Sequence, residues 1–243
     1  MSFYGDDLAF IHDEGFTGYA RQAGAGVLSL LGEHGIEDGV VVDLGCGSGV
    51  WGAQLVRSGY EVVGVDVSGA LLDLARSRTP EGSGARWIQG SLFDFEFPSC
   101  RAVTSLGECF NYGNATGSAA GDLLRLFGRI HTALEPGGVL VFDVAIPGRG
   151  GFGTQRKFIE AEDWTILLET HEDREAATLE RRITSFRRSG ELFRRDRERH
   201  LLHLFEPDFL LGLLCEAGFE ARRIAAYNEM ELPPGYAAFV ARR

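Results

Sequence analysis

Val41-Val42-Asp43-Leu44-Gly45-Cys46-Gly47-Ser48-Gly49 runs from an unbroken apolar stretch into three glycines, each two residues from the next. Residues 39–44 lack the alternation of a half-exposed strand, so they read as a strand buried on both faces. The glycines permit positive φ and a close approach of backbone to ligand, and residues 49–58 read as the helix that follows. A helix start placed there offers unpaired N–H groups to a carboxylate or phosphate. With 33 glycines in 243 residues, however, the triplet alone does not name the ligand.

Outward from this loop, residues 61–66 form a second apolar run ending in Asp66, and Ser68 stands where it can cap a helix over 70–77. Residues 85–89 and 102–106 read as third and fourth strands, then a helix over about 118–134 that Pro136-Gly137-Gly138 ends, and a fifth strand at 139–143. Strands alternating with helices call for a mostly parallel sheet with helices on both faces, an α/β, Rossmann-like fold. At the end of the second strand, Asp66 has the spacing from the loop at which a carboxylate accepts both hydroxyls of a ribose. Its alternative role is to cap the helix near Ser68. Gly47-Ser48-Gly49-Val50-Trp51-Gly52 also satisfies the G-x-G-x-x-G pattern of dinucleotide enzymes, although Trp51 is bulky where a helix must pack near pyrophosphate.

Past Pro147-Gly148 the character changes. Residues 150–206 are charged and alternating, with turn signals near Asp173 and at Ser189-Gly190, and predict an inserted antiparallel β cap. Pro207 opens a helix that Gly218 stops, and 219–227 and 236–241 read as strands rejoining the core. Residues 1–38 form a helical lead-in, and the whole of 1–243 is expected to be one domain.

A formal net charge of −11 argues against nucleic-acid and anionic-membrane partners and favours a small-molecule substrate. Cys46, Cys100, Cys109 and Cys215 are scattered, without a C-x-x-C pair, which suits a reducing, cytoplasmic setting and no metal. Asp6 and Asp7 stand where a signal peptide carries basic residues. Oligomeric state is not legible.

Val42 to Gly49, together with Val63-Gly64-Val65-Asp66-Val67-Ser68, resembles the first two motifs of class I S-adenosylmethionine (SAM)-dependent methyltransferases. Gln89-Gly90-Ser91-Leu92-Phe93 is similar to the family's third-strand segment, with Ser91 where many relatives have an acid. Residues 104–112 and 134–140 resemble its fourth-strand motif and the turn before its fifth strand, and 214–219 its last helix-to-strand passage. The resemblance implies a seven-stranded sheet, SAM as cofactor with S-adenosylhomocysteine as product, and a cap of the glycine N-methyltransferase-like, small-molecule kind. It implies that Gly45, Gly47 and Gly49 face the methionine part, Asp66 the ribose, Val67 and Leu92 the adenine, and Leu106, Gly107 and Glu108 the sulfonium side, with Asp43, Cys46 and Ser91 also among the cofactor-binding residues.

Methyl transfer needs a general base only when the nucleophile arrives protonated. His200, at the end of the cap, is the candidate base or substrate contact, because related caps carry a histidine there. Tyr4, Tyr19 and Arg21 precede the first strand in a segment able to fold over the site, and Asn111 and Tyr112 follow the fourth strand. Two alternatives remain at this stage, an NAD(P)-type oxidoreductase and a non-catalytic SAM-binding sensor or partner subunit.

Overall fold

The computed structural model describes residues 3–113 and 118–243; Met1, Ser2 and residues 114–117 lie outside it, the first two within the expected 1–38 lead-in. Two helices come first, α1 (Asp6–Phe16) and α2 (Gly18–Glu33). The core then follows as β1 (Val40–Leu44), α3 (Val50–Arg57), β2 (Glu61–Asp66), α4 (Gly69–Arg78), β3 (Ala85–Gln89), β4 (Cys100–Ser105), α5 (Ala119–Ala133) and β5 (Leu134–Ala145). Next are four cap strands, β6 (Thr154–Glu160), β7 (Trp164–Asp173), β8 (Thr178–Ser189) and β9 (Leu192–His203). The chain closes with α6 (Pro207–Glu216), β10 (Glu220–Ile224), the short pair β11 (Ala226–Tyr227) and β12 (Met230–Glu231), and β13 (Tyr236–Arg242).

The core is a seven-stranded sheet in the order β10-β13-β5-β4-β1-β2-β3. β1 to β5 run parallel, whereas β13 is antiparallel to both β5 and β10. β1 carries Val41, Val42 and Leu44 fully buried, with one apolar layer on each face of the sheet. Val42 and Leu44 join Phe127, Phe142 and Phe239 under α5 and α6, and Val41 joins Val27, Leu31 and Trp51 under α2 and α3. The order reverses between β1 and β4, so the carboxyl ends of these two strands flank the crevice where open α/β sheets bind ligands.

The cap is a separate antiparallel sheet, β6-β7-β8-β9, joined by hairpins. Its inner face meets α1 through Leu8, Ile11, Trp164 and Ile166. Asp7 on α1 pairs with Arg187 and Arg194 of the cap.

Two sequence expectations are corrected. Residues 219–227 do not form one strand: pairing with β13 ends at Ile224, and Ala226-Tyr227 turns into a hairpin with Met230-Glu231. α5 stops at Ala133 rather than at the Pro-Gly-Gly turn, because Leu134 is already extended and opposite Cys100, and Pro136-Gly137-Gly138 makes an irregularity within β5.

Candidate functional site

Asp43, the fourth residue of β1, is 2 % exposed. Trp51 Nε1 donates to Thr104 Oγ1 at 3.0 Å, and Thr104 Oγ1 donates to Asp43 Oδ1 at 2.9 Å. Indole nitrogen only donates, so the Trp51 bond commits the Thr104 proton to Asp43 and fixes the direction of the relay. Asp43 Oδ2 is buried with no hydrogen-bond partner among the described residues. Burial pushes this carboxyl up to about 7, against the lowering effect of Thr104. A buried, unpartnered carboxylate oxygen beside a glycine loop suits a ligand that brings a donor or a positive charge.

The loop glycines divide by role. Gly45, at φ +70, packs so tightly that a Cβ would collide with Cys109 Sγ, whereas Gly47, at φ +54, has nothing within 4 Å of where its Cβ would stand. The N–H groups of Gly45 and Cys46 both donate to Val65 O, and that of Gly49 to Cys46 O. Cys46 is buried, and its polar backbone groups serve the loop itself. Gly49 is the left-handed residue from which α3 starts.

Asp66 ends β2 with Oδ2 accepting from Gly47 N and Oδ1 from Ser68 N, each at 2.9 Å. A carboxylate has about four acceptor positions, so this cross-strand tie leaves capacity for two hydroxyls. Burial pushes Asp66 up, opposed by its backbone donors. Ser68 Oγ, rather than Asp66, caps α4 by accepting from Leu71 N. Beside them Val67 is 48 % exposed, an apolar side chain with no cover. Ser91 Oγ accepts from Phe93 N within its own turn, and Leu92 is half-buried against the core.

On the other side of the crevice the turn after β4 is held by Asp143, a fully buried carboxylate of β5 that the sequence reading missed. Its Oδ1 accepts from Gly107 N at 2.8 Å and Glu108 N at 3.1 Å, and its Oδ2 from Tyr19 OH at 2.9 Å and Tyr227 OH at 3.2 Å. Burial pushes Asp143 up to about 6 despite these donors. Leu106 is buried, and Glu108 takes a left-handed φ of 69°. The Glu108 carboxylate accepts from Arg149 Nε and Arg181 Nη2, both at 2.6 Å. Burial acts to raise Glu108, but the two guanidiniums outweigh it and hold the group below its usual range. The sequence pattern marks Arg181 only as a solvated charge and Arg149 only as part of the turn after the fifth strand; no local signal shows that either points inward.

The roof is aromatic. His200, 1 % exposed, lies on the inner face of β9 opposite Arg181. Its Nε2 is 2.8 Å from Glu198 Oε2 and its Nδ1 is 3.3 Å from Tyr112 OH. With Nε2 donating to the carboxylate, Nδ1 is left as the acceptor for Tyr112. Burial pushes Tyr112 up to about 12, Arg181 and a hydrogen bond from Tyr4 opposing it. Tyr4, at φ 51, sets its ring edge-on to His12 and tilted against His200. α1 reaches the glycine loop through Asp13, which accepts from Ser48 Oγ at 2.5 Å and Arg78 Nη2 at 2.6 Å.

Two candidates are corrected. Asn111 is not a substrate group: its Nδ2 donates to Ala145 O and His203 O, and its Oδ1 accepts from Ala145 N, so the amide is spent clamping β5 and β9. Arg21 is exposed on α2, with its carbonyl accepting from Gln54 Nε2, and does not join the cluster that its neighbour Tyr19 joins.

A seven-stranded sheet with β13 reversed, a glycine loop after β1 and an acid ending β2 make up the Rossmann-like fold that class I SAM-dependent methyltransferases share. Residues 41–138 match the family described as a methyltransferase domain. The putative methyltransferase YqeM of Bacillus subtilis is 24 % identical over 201 residues, 78 % of this chain and 77 % of its own length. An 18S rRNA (guanine-N(7))-methyltransferase of Bos taurus is 29 % identical over 107 residues, 43 % of this chain and 38 % of its own. A SAM-dependent methyltransferase of Clostridium acetobutylicum superposes with a TM-score of 0.81 at 17 % identity, covering 97 % of both chains. The sugar N-methyltransferase KedS8 of Streptoalloteichus superposes at 0.75 and 22 % identity, covering 100 % of this chain and 96 % of its own. At such identities the likeness to the two structures is one of fold. The oxidoreductase alternative is set aside by the family match. No helix among the described residues is long and apolar enough to cross a membrane.

Proposed function

We propose that the enzyme methylates a small molecule held between the sheet and the cap, with His200 receiving the proton of an O–H or N–H acceptor. The observation carrying this reading is that the cap is fastened over the turn after β4: Arg181 of β8 pairs with Glu108, and Tyr112 packs against His200 of β9, which Tyr4 also meets, a cover that favours a metabolite over a folded macromolecule. The sugar substrate named for KedS8 supports it. The rRNA methyltransferases match only about two fifths of the chain.

When bound, SAM supplies a methyl group activated by its sulfonium. Asp43, through its free oxygen, and Gly47 would hold the methionine part, Asp66 the ribose, and Val67 with Leu92 the adenine. Gly45, Cys46 and Gly49 shape the loop, and Ser91 shapes the turn before Leu92. Asp143 fixes Gly107 and Glu108, and the turn they stiffen, with Leu106, would flank the sulfonium. Tyr112 donates toward His200 Nδ1, and this hydroxyl is the route by which the imidazole takes up a proton.

The test is release of S-adenosylhomocysteine when the protein and SAM are offered fractionated metabolite pools, with total rRNA as a parallel substrate. Transfer to a metabolite is expected. Transfer to rRNA alone would overturn the small-molecule reading.

A further inference from the structure

Glu198 stands where three elements meet. Its Oε2 accepts from His200 Nε2 at 2.8 Å and also from the backbone N–H of Tyr4 at 2.8 Å, and its Oε1 accepts from Gly5 N at 2.9 Å. From the opposite side, Ser68 Oγ at the head of α4 donates to the Tyr4 carbonyl at 2.7 Å. Residues 3–5 are therefore a strap slung from the core at Ser68 to the cap at Glu198. The strap carries Phe3, edge-on to Tyr112 and His200, and Tyr4 across the roof. Tyr4 sits at φ 51, a setting that costs a residue with a side chain about 1 kcal/mol, so the anchors must hold it there.

One carboxylate oxygen shared by an imidazole N–H and a peptide N–H, with a second peptide N–H on its twin, is confined to one plane and one direction. The Glu198 side chain is only 10 % exposed beneath the strap. With the strap lifted, two of its three donors are gone and water reaches the third. Burial acts to raise the Glu198 carboxyl, yet His200 and the two backbone donors hold it below its usual range. The group is thus charged when the strap is down.

We propose that Glu198 is a positioning residue that couples closure of the strap to the orientation of His200, so that Nδ1 is presented to Tyr112 only in the closed enzyme. This rests on the reading of His200 as the proton acceptor. The coupling confines proton uptake to the closed state, in which His200 and Glu198 are shielded from water, and it makes entry of the ligands precede assembly of the base.

The test uses the full chain with S-adenosylhomocysteine as probe, nitrogen-15 spectra of the histidine rings, and amide exchange at Tyr4 and Gly5. The wild type is expected to show His200 as one tautomer, protonated at Nε2, with both amides protected. Glu198→Ala is expected to speed exchange at Tyr4 and Gly5 at least tenfold and to leave His200 a mixture of tautomers. Gly5→Pro, at a φ of −60° that proline adopts, puts a ring carbon where the Gly5 hydrogen bond was. It should produce the same change at His200 while Glu198 and His200 themselves are intact. His200→Ala removes one donor to Glu198 and the ring on which Phe3 and Tyr4 pack, so it should also speed strap exchange, though less than Glu198→Ala does. An open strap in Gly5→Pro beside an unchanged His200 tautomer would sink the coupling, as would unchanged exchange in Glu198→Ala. Full turnover by His200→Ala would instead remove the base reading, and the exchange and tautomer results would still decide the coupling by themselves.

Discussion

Replacing Asp43 by Asn separates what the buried carboxylate costs the fold from what it contributes to the ligand. Asp43 is held at about 7 against an ordinary value of 3.8, a gap worth about 4 kcal/mol at about 1.4 kcal/mol per unit. Between those two values the folded protein keeps a proton that the unfolded chain has lost. Stability therefore falls as pH rises through that window, and below about pH 4 the penalty is absent. The Asp43→Asn amide would keep the Thr104 bond but place an N–H in the buried space that Oδ2 occupies alone, costing about 2 kcal/mol. The ligand-free variant should thus be about 2 kcal/mol more stable than wild type at pH 7.5, or about 5 °C in Tm for a chain of this size, and about 1 kcal/mol less stable at pH 4.5. Asp143, held up to about 6, titrates in the same sense in both proteins and cancels from the difference. Calorimetric melts of ligand-free protein at the two pH values read the crossing. SAM titrations should show affinity down by about tenfold to a hundredfold, the value of about 1.5–3 kcal/mol for a charged hydrogen bond. A stability difference that does not change with pH, or SAM bound as tightly as by wild type, would refute the reasoning.

Other substitutions carry separate expectations. Gly47→Ala has open space at its Cβ, so it should cost the ligand-free fold about 1 kcal/mol for the left-handed backbone yet weaken SAM binding far more. Gly45→Ala should cost about 3 kcal/mol because the new methyl meets Cys109 as well; equal melting of the two variants would deny that the loop glycines have distinct jobs. Asn111→Ala strands Ala145 N, Ala145 O and His203 O, and a loss of about 3 kcal/mol is expected in denaturant melts. His200→Ala, assayed from pH 6 to 9 with an acceptor found in the metabolite screen, should lower kcat by about a hundredfold or more with little change in KM for SAM; turnover at the wild-type rate would remove His200 from the chemistry.

The core was legible because its signals are local. β3 at Ala85–Gln89 and β2 at Glu61–Asp66 have the bounds their apolar runs suggest, and Gly49 marks the start of α3 where the turn requires a left-handed residue. The roof was not legible in the same way. Glu198 and Arg181 lie in a charged, alternating segment whose pattern tells which residues share a face but not which face a sheet turns inward, and Arg149 lies in the turn that leads into it. Asp143 reads as the last residue of an apolar run, and only the register of β5 with β13 and the turn at Gly107 reveals four donors converging on it. Asn111 was misassigned for the same reason: its partners are 34 and 92 residues away.

That separation has a kinetic meaning. The cap can form its hairpins from neighbouring residues, whereas the clamp at Asn111 must bring the turn after β4 against chain that is synthesised much later. Closing such long loops is slow relative to forming hairpins, so the cap hairpins should form early and be fastened to the core late. A module that folds by its own local contacts, and is fastened afterwards through a few residues such as Asn111, Glu108 and Glu198, is one that evolution can exchange. The acceptor pocket can then be rebuilt in descendants without disturbing the crevice below it.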